Sequence, residues 1–101
     1  MRVIVFFDLP VTTSRERREY ARFRKYLITN GFLMMQESVY SKIALTSSSL
    51  TLIIERLKAN KPAKGLVQLL TITEKQYARI ESIVGESKTD LINDDQRTVI
   101  L

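Results

Sequence analysis

Apolar and polar positions follow one another along the chain with two periods, that of strands and that of helices. The segment Arg2–Asp8 (RVIVFFD) is apolar at five successive positions and ends in an aspartate, which predicts a buried strand. A Leu-Pro break follows, and the hydroxyl groups of residues 12–14 can cap a helix that runs to Asn30, where an Asn-Gly pair favours a stop. The predicted inward face of this helix holds Tyr20, Phe23 and Leu27.

Six further elements of regular structure are predicted downstream. Residues 32–45 are extended for longer than a usual strand of about 5–6 residues, which predicts a bend or bulge near Gln36 and Glu37. Apolar residues at helical spacing predict a second helix that opens at residues 47–49 and ends by Pro62. The remaining predicted elements are a strand at 66–73, a short helix from Thr73 with Tyr77 and Ile80 packed inward, a weak strand at 82–85 and a terminal strand at 98–101.

This order of elements predicts an α+β fold of the ferredoxin-like type, a β-α-β-β-α-β core with an extra C-terminal strand. Residues 1–85 form the ferredoxin-like part and residues 86–101 a C-terminal segment and edge strand, in a single domain overall. The first strand is apolar at every position from 3 to 7, as in strands buried on both faces, whereas the two helices can cover only one face. We therefore expect a second copy of the chain to cover the other face, which makes the protein a homodimer.

Charge adds a second feature, because four cations of the first helix recur at spacings of three, four and three. At about 100° per residue they fall on one narrow strip of the helix surface, roughly 15 Å long at ~1.5 Å per residue. Residues 1–64 hold 12 Lys/Arg and 5 Asp/Glu, so the excess positive charge lies in this part of the chain. Such a surface fits the phosphates of a nucleic acid, and the alternative is a solvated helix face. The four residues, called the cationic stripe below, are Arg15, Arg18, Arg22 and Lys25.

Composition narrows the chemistry that the chain can perform. The 101 residues include no cysteine and no histidine, which excludes disulfides, thiolate metal sites and imidazole bases. Catalysis would then need carboxylates, with a hard metal ion such as Mg²⁺. No apolar run is long enough to span a membrane and no signal-peptide pattern is present, so we expect a cytoplasmic protein without a membrane partner.

Asp8 is the candidate catalytic and metal-binding residue, because it stands at the tip of the first strand. One carboxylate per chain makes a poor Mg²⁺ site, whereas two copies of Asp8 that face each other across a dimer would suffice. The alternative is that Asp8 only forms an Asx turn into the Leu-Pro break.

Several other residues have two interpretations each. Tyr40 fits core or dimer packing better than a nucleic-acid contact. Arg17 and Arg24 lie off the cationic stripe, where they can pair with glutamates or contact a partner protein. Near the end of the second helix, Lys58, Lys61 and Lys64 suit the helix dipole, with addition to a DNA surface as the alternative.

The same segments together resemble a known family. MRVIVFFDLP, an arginine-rich helix, GFLMMQESVYSK and LLTITEKQY are similar, in order and spacing, to CRISPR-associated protein two, the small adaptation protein that partners the CRISPR integrase. The TEKQ stretch and the tail NDDQRTVIL resemble members from type II-A systems. The resemblance covers nearly the whole chain and implies a ferredoxin-like homodimer in which the C-terminal strand often docks on the other subunit.

Two functions come with this resemblance. The first is a Mg²⁺-dependent endonuclease that cleaves single-stranded RNA or double-stranded DNA, in which Asp8 would lie near the dimer axis opposite its mate. The second, which we favour, is a non-catalytic scaffold whose dimer bridges integrase dimers and supports the middle of the incoming spacer DNA. The cationic stripe would then contact DNA phosphates, and residues 93–101 could dock on the integrase, unless they are only an edge strand. Outside the family, an RNA-binding module or a stand-alone toxin ribonuclease of similar fold are the alternatives.

Overall fold

A computed structural model describes residues 1–85, so the predicted C-terminal segment, terminal strand and integrase-docking tail lie outside the described residues. Four strands form one sheet in the order β2-β3-β1-β4, and every neighbouring pair is antiparallel. This order confirms the predicted α+β ferredoxin-like core. The strands are β1 (Arg2–Asp8), β2 (Leu33–Gln36), β3 (Val39–Ile43) and β4 (Leu66–Ile72), and the helices are α1 (Ser14–Thr29), α2 (Ser47–Ala59) and α3 (Glu74–Tyr77).

Capping side chains explain where each helix begins. Thr13 caps α1 through a capping box, in which its hydroxyl accepts from the amide of Glu16 while the Glu16 carboxylate accepts from the Thr13 amide. Thr46 and Thr73 open α2 and α3 by the same device. The predicted start of α1 and its end at Asn30 are therefore confirmed. The predicted opening of the second helix at residues 47–49 is also confirmed, since α2 begins at Ser47.

The core lies between the sheet and its two long helices. Val3, Val5 and Phe7 on one face of β1 are buried against Phe23 and Leu27 of α1. The rings of Phe7 and Phe23 meet edge to face, with 5.2 Å between their centroids. Burial of these side chains, each worth about 1.5–3 kcal/mol, fixes which face of α1 turns inward and leaves the opposite face to solvent.

The long extended segment is a hairpin with a bulge. A two-residue turn at Glu37 and Ser38 joins β2 to β3, and the pairing register shifts between Met34 and Gln36. Ser38 has a positive φ of 66°, and its backbone carbonyl accepts a hydrogen bond from the amide of Phe7. The predicted irregularity near Gln36 is thus confirmed, and the turn separates two strands of the core.

The second face of the sheet is partly covered by the chain itself. The Arg2 guanidinium lies 3.8 Å from the ring centre of Tyr77 and donates two hydrogen bonds to Glu74, at 2.7 and 3.0 Å. It also donates to the hydroxyl of Ser41, a residue that is buried. α3 therefore covers the Arg2 end of this face, and the second copy expected to cover the face stays a prediction.

Two predictions beyond α3 are wrong. Residues 82–85 do not form a strand, since residues 83–85 are a bend, and Ile83 and Val84 are almost fully exposed within the described part of the chain. Ile80 is about half exposed, so it does not pack inward as predicted, whereas Tyr77 does lie against Arg2. The apolar pattern of these residues resembles that of a strand, but no neighbouring strand within residues 1–85 pairs with them.

Within the described region, no helix combines the length and apolar character needed to cross a membrane.

The Arg2–Glu74 pair predicts that acid weakens the attachment of α3. Hydrogen bonds from Arg2 lower the pKa of Glu74 below its ordinary value of 4.5. A carboxyl with a lowered pKa stabilises the fold above its unfolded pKa, and this contribution is lost as pH falls through the folded pKa. Since the Glu74 side chain is 48% exposed, the pair is expected to contribute less than about 1 kcal/mol. Urea unfolding should show Glu74→Gln less stable than the parent at pH 7 and closer to it near pH 3.

Glu55→Gln, on the exposed surface of α2, removes the same charge away from Arg2 and serves as the control. An equal loss of stability for Glu74→Gln at both pH values would contradict the role assigned to the ion pair.

Candidate nucleic-acid interface

The cationic stripe lies along the solvent side of α1, opposite the buried Phe23 and Leu27. All four of its residues are exposed, as predicted. Their side chains nonetheless differ in what they contact. Some are bound within the protein, and others are open to a ligand.

Arg22 is bound within the protein. Its Nε donates to Glu19 at 2.8 Å, and its Nη atoms donate to the backbone carbonyls of Asn60 and Lys61 at 3.3 Å. Glu19 is the acidic partner of Arg22, and this hydrogen bond is the main reason that the pKa of Glu19 is lowered. Arg22 and Glu19 together hold the 60–64 loop, which connects α2 to β4, against the side of α1.

Arg15 and Arg18 instead line an open groove of about 880 Å³ between α1 and the 60–64 loop. Lys64 lies on the loop side of this groove, while Leu9, Pro10, Pro62 and Ala63 give it an apolar lining. Within residues 1–85 the ion pairs are Arg2–Glu74 and Arg22–Glu19, so these three cations are not neutralised by a contact there. The sequence predicts that Lys64 interacts with the dipole at the end of α2. In the structure, the fold of the 60–64 loop places it beside α1.

The amino end of α1 is occupied by its own capping contacts. One carboxylate oxygen of Glu16 accepts from the amides of Thr12 and Thr13, and the Thr13 hydrogen bond is the main reason that the pKa of Glu16 is lowered. Arg17 donates to the carbonyls of Val11 and Thr12. An anion in the groove would therefore be bound by side chains of Arg15 and its neighbours, and not by free amides of the helix end.

Arg24 and Tyr40 form a second structural contact off the stripe. Arg24 donates from Nε to the Tyr40 hydroxyl at 3.0 Å. Tyr40 is 1% exposed, and its ring is stacked on Phe7 with 5.9 Å between centroids. The prediction that Tyr40 belongs to the core is confirmed, and the partner of Arg24 is this tyrosine and not a glutamate.

Asp8 ends β1 opposite Leu66 of β4, with its side chain exposed. Residues 11–13, which follow the Leu-Pro break, are held by Glu16 and Arg17. Mg²⁺ in proteins usually takes one or two carboxylates together with waters and substrate oxygens. Residues 1–85 contain no group of three or more acidic, histidine or cysteine side chains that could hold a metal ion. Within the described residues a single chain therefore offers Asp8 alone at this place, and the ion fits only if further donors are added, for example from a second copy or from substrate.

Gly65 connects the Asp8 region to the groove. It has a φ of +95°, and a Cβ atom placed on it would lie 2.7 Å from the Asp8 carbonyl oxygen and 3.1 Å from the Leu9 Cα. Only glycine avoids both the left-handed strain and this clash. The close approach sets the position of Lys64, the residue before it.

Comparison with protein families gives one match over most of the chain. The family described as CRISPR associated protein Cas2 matches residues 1–80. The chain is 56% identical over 101 residues to a CRISPR-associated endoribonuclease Cas2 of Treponema denticola, with both chains covered completely. A protein of the same name from Streptococcus mutans serotype c (strain UA159) is 50% identical over 101 residues, which cover all of this chain and 93% of that protein. Another from Lacticaseibacillus rhamnosus is 46% identical over 101 residues, with both chains covered completely.

Among solved structures, the chain resembles the crystal structure of Streptococcus pyogenes Cas2 at pH 6.5. The TM-score is 0.63, with 83% of this chain and 100% of the other covered, and 19% of the residues are identical. At that identity the likeness concerns the fold, which agrees with the strand order above.

The close approach of Gly65 predicts a large cost for Gly65→Ala. The substitution adds a clash with backbone atoms to the strain of a positive φ, which by itself costs about 1–2 kcal/mol for a residue with a Cβ. Gly31→Ala is the matched control, since Gly31 has a φ of +86° but only the flexible end of Lys42 nearby, at 3.7 Å. Chemical denaturation should show Gly65→Ala losing clearly more free energy of unfolding than Gly31→Ala. Equal losses of free energy of unfolding in the two variants would contradict the prediction, because they would mean that the backbone of Asp8 and Leu9 moves aside at little cost.

Proposed function

Because this chain belongs to the CRISPR associated protein Cas2 family, we propose that it acts as a CRISPR adaptation subunit, a homodimer that bridges integrase dimers and binds the duplex of incoming spacer DNA. The observation that carries this proposal is the cationic stripe, which the packing of α1 leaves on the surface. Side chains of this kind bind phosphates and position a duplex without reading its sequence. A subunit that accepts spacers of any sequence needs this type of contact.

The four residues of the cationic stripe are not equally available to contact DNA. Arg15, Arg18 and Lys25 are exposed and make no ion pair within residues 1–85, whereas Arg22 already holds the 60–64 loop. DNA binding is therefore assigned mainly to the first three. Each contact releases counterions from the duplex, so the affinity should fall steeply with salt.

Apolar surface supports the homodimer. On the sheet face away from α1 and α2, Phe6, Leu66 and Leu70 are 36%, 56% and 53% exposed. They lie beyond the part of this face that α3 and Arg2 cover. Contiguous apolar surface of this kind is typical of an interface, and a two-fold dimer would present two cationic stripes to one duplex.

A second function is favoured by one observation, the exposed Asp8 at the end of β1 beside the groove. The curated relatives carry the name endoribonuclease, and Asp8 residues of two copies could together hold Mg²⁺. When bound, Mg²⁺ would activate water and stabilise the charge of a phosphodiester under attack. The chain itself would supply the carboxylates and, through the cationic stripe, the binding of the phosphate backbone.

Spacer acquisition in cells tests the scaffold function. The variant Arg15→Ala/Arg18→Ala/Lys25→Ala should lose acquisition while remaining folded, and its binding to duplex DNA should show a salt slope reduced by about 3. A control with three exposed cations removed elsewhere, Lys58→Ala/Lys75→Ala/Arg79→Ala, should retain acquisition. Normal acquisition by the folded stripe variant would contradict the proposal.

Asp8→Asn in the same assay separates the scaffold from the nuclease, since it keeps the shape of the side chain and removes its charge. The scaffold function predicts normal acquisition and unchanged DNA binding. Loss of acquisition by a folded Asp8→Asn protein that still binds DNA would establish the metal-dependent function in its place.

The homodimer predicts that a charge on the open sheet face separates the subunits. Leu70→Glu places a carboxylate among the exposed apolar residues of that face and should give a folded monomer, measured by light scattering after gel filtration. Leu52→Glu is the control, because Leu52 is 45% exposed on α2, which packs on the other face of the sheet. A dimer that persists in Leu70→Glu would place the interface elsewhere.

A further inference from the structure

We infer that the 60–64 loop is the second wall of a phosphate-binding groove, in which Lys64 contacts the DNA backbone and Arg22 is a positioning residue that holds the loop on α1. This inference rests on the proposed DNA-binding function and names the site within it. It adds Lys64, which lies outside α1, to the residues that contact DNA. It also removes Arg22 from them.

Arg22 is poorly suited to a direct phosphate contact because four of its five N–H donors are used. Nε binds Glu19, Nη1 binds the Asn60 carbonyl, and Nη2 binds the carbonyls of Asn60 and Lys61. A phosphate could take these donors only by releasing two loop carbonyls and leaving the Glu19 carboxylate unpaired. The attraction of one phosphate would therefore be offset by the hydrogen bonds that the protein must break to reach it.

The loop is fixed at both ends, which gives Lys64 a defined place. Arg22 holds its first two residues through the carbonyls of Asn60 and Lys61. On the far side, Gly65 packs directly against the backbone of Asp8 and Leu9. Lys64 lies between these anchors, so its backbone stays beside α1.

Lys64 faces the two arginines that are free to bind an anion. It lines the groove together with Arg15 and Arg18, is exposed, and makes no ion pair within residues 1–85. Its positive charge attracts the carboxylate of Glu16 and helps to lower the pKa of that group. Glu16 already accepts two backbone hydrogen bonds, so the ammonium group of Lys64 can exchange this weak attraction for a phosphate.

The groove also contains the carboxylates of Glu16 and Glu19, which could be thought to repel DNA. Both are engaged: Glu16 caps α1 and Glu19 accepts a hydrogen bond from Arg22. With these pairs formed, the cations left for a ligand are Arg15, Arg18 and Lys64. Three positive groups around an apolar floor suit one strand of a phosphate backbone.

The test measures the salt dependence of duplex DNA binding by the full-length protein for single variants. Lys64→Ala and Arg18→Ala should each reduce the slope of log affinity against log salt by about 0.9, the effect of one phosphate contact. Lys58→Ala is the matched control, an exposed lysine at the end of α2 that does not line the groove, and its slope should equal that of the parent.

Arg22→Ala should weaken binding by a different route. Hydrogen exchange of the amides in the 60–64 loop should become faster in Arg22→Ala and stay unchanged in Arg18→Ala. Because Arg22 acts by holding Lys64 in place, the effect of Lys64→Ala on the slope should shrink in the Arg22→Ala background. Arg18→Ala should have its full effect in both backgrounds.

Distinct outcomes overturn distinct statements. If Lys64→Ala behaves like Lys58→Ala while Arg18→Ala lowers the slope, the loop is not part of the site but the proposed function stands. If Arg22→Ala lowers the slope by about 0.9 with normal hydrogen exchange and full additivity with Lys64→Ala, Arg22 is a direct contact and not a positioning residue. If Arg15→Ala and Arg18→Ala leave binding unchanged as well, the DNA-binding function itself fails.

Discussion

The packing of β1 against α1 is the interaction on which the rest of the structure depends. β1 pairs with a strand on each side, and three of its side chains enter the core between the sheet and the helices. Phe7 contacts aromatic rings from two elements, Phe23 of α1 and Tyr40 of β3. Because an interior packed this densely leaves few alternatives, the rotation of α1 about its axis is set by these contacts. That rotation turns the cationic stripe to solvent and brings its first residues beside the end of β1.

The end of β1 is also where the loop from α2 returns to the sheet. Gly65 approaches the backbone of Asp8 too closely for any side chain, and the Arg22–Glu19 pair holds the preceding residues on α1. Charged side chains on the stripe thus have two different physical roles. Arg22 satisfies backbone carbonyls of a loop, whereas Arg15 and Arg18 keep their donors for a ligand. Proximity on a helix surface does not by itself assign a common function.

Local pattern was a good guide wherever the deciding interaction is local. Thr13 could be expected near the start of α1 because its cap involves residues three positions apart, and the Tyr20–Leu27 face follows from helical period alone. The strand predicted at residues 82–85 was wrong for the converse reason. A short apolar run becomes a strand only when another strand is available to pair with it, and that depends on the whole topology.

The sequence by itself determined the order of the elements, the exposure of the cationic stripe and the absence of histidine and cysteine chemistry, since period, caps and composition are properties of neighbouring residues. Only the tertiary structure decided that Lys64 faces Arg15 and Arg18, that Arg22 is already bound, and that Arg2 and Tyr77 cover part of the second sheet face. These contacts join residues about 40 to 75 positions apart in the chain. No local preference encodes them, because they arise from the way in which sheet pairing closes the chain on itself.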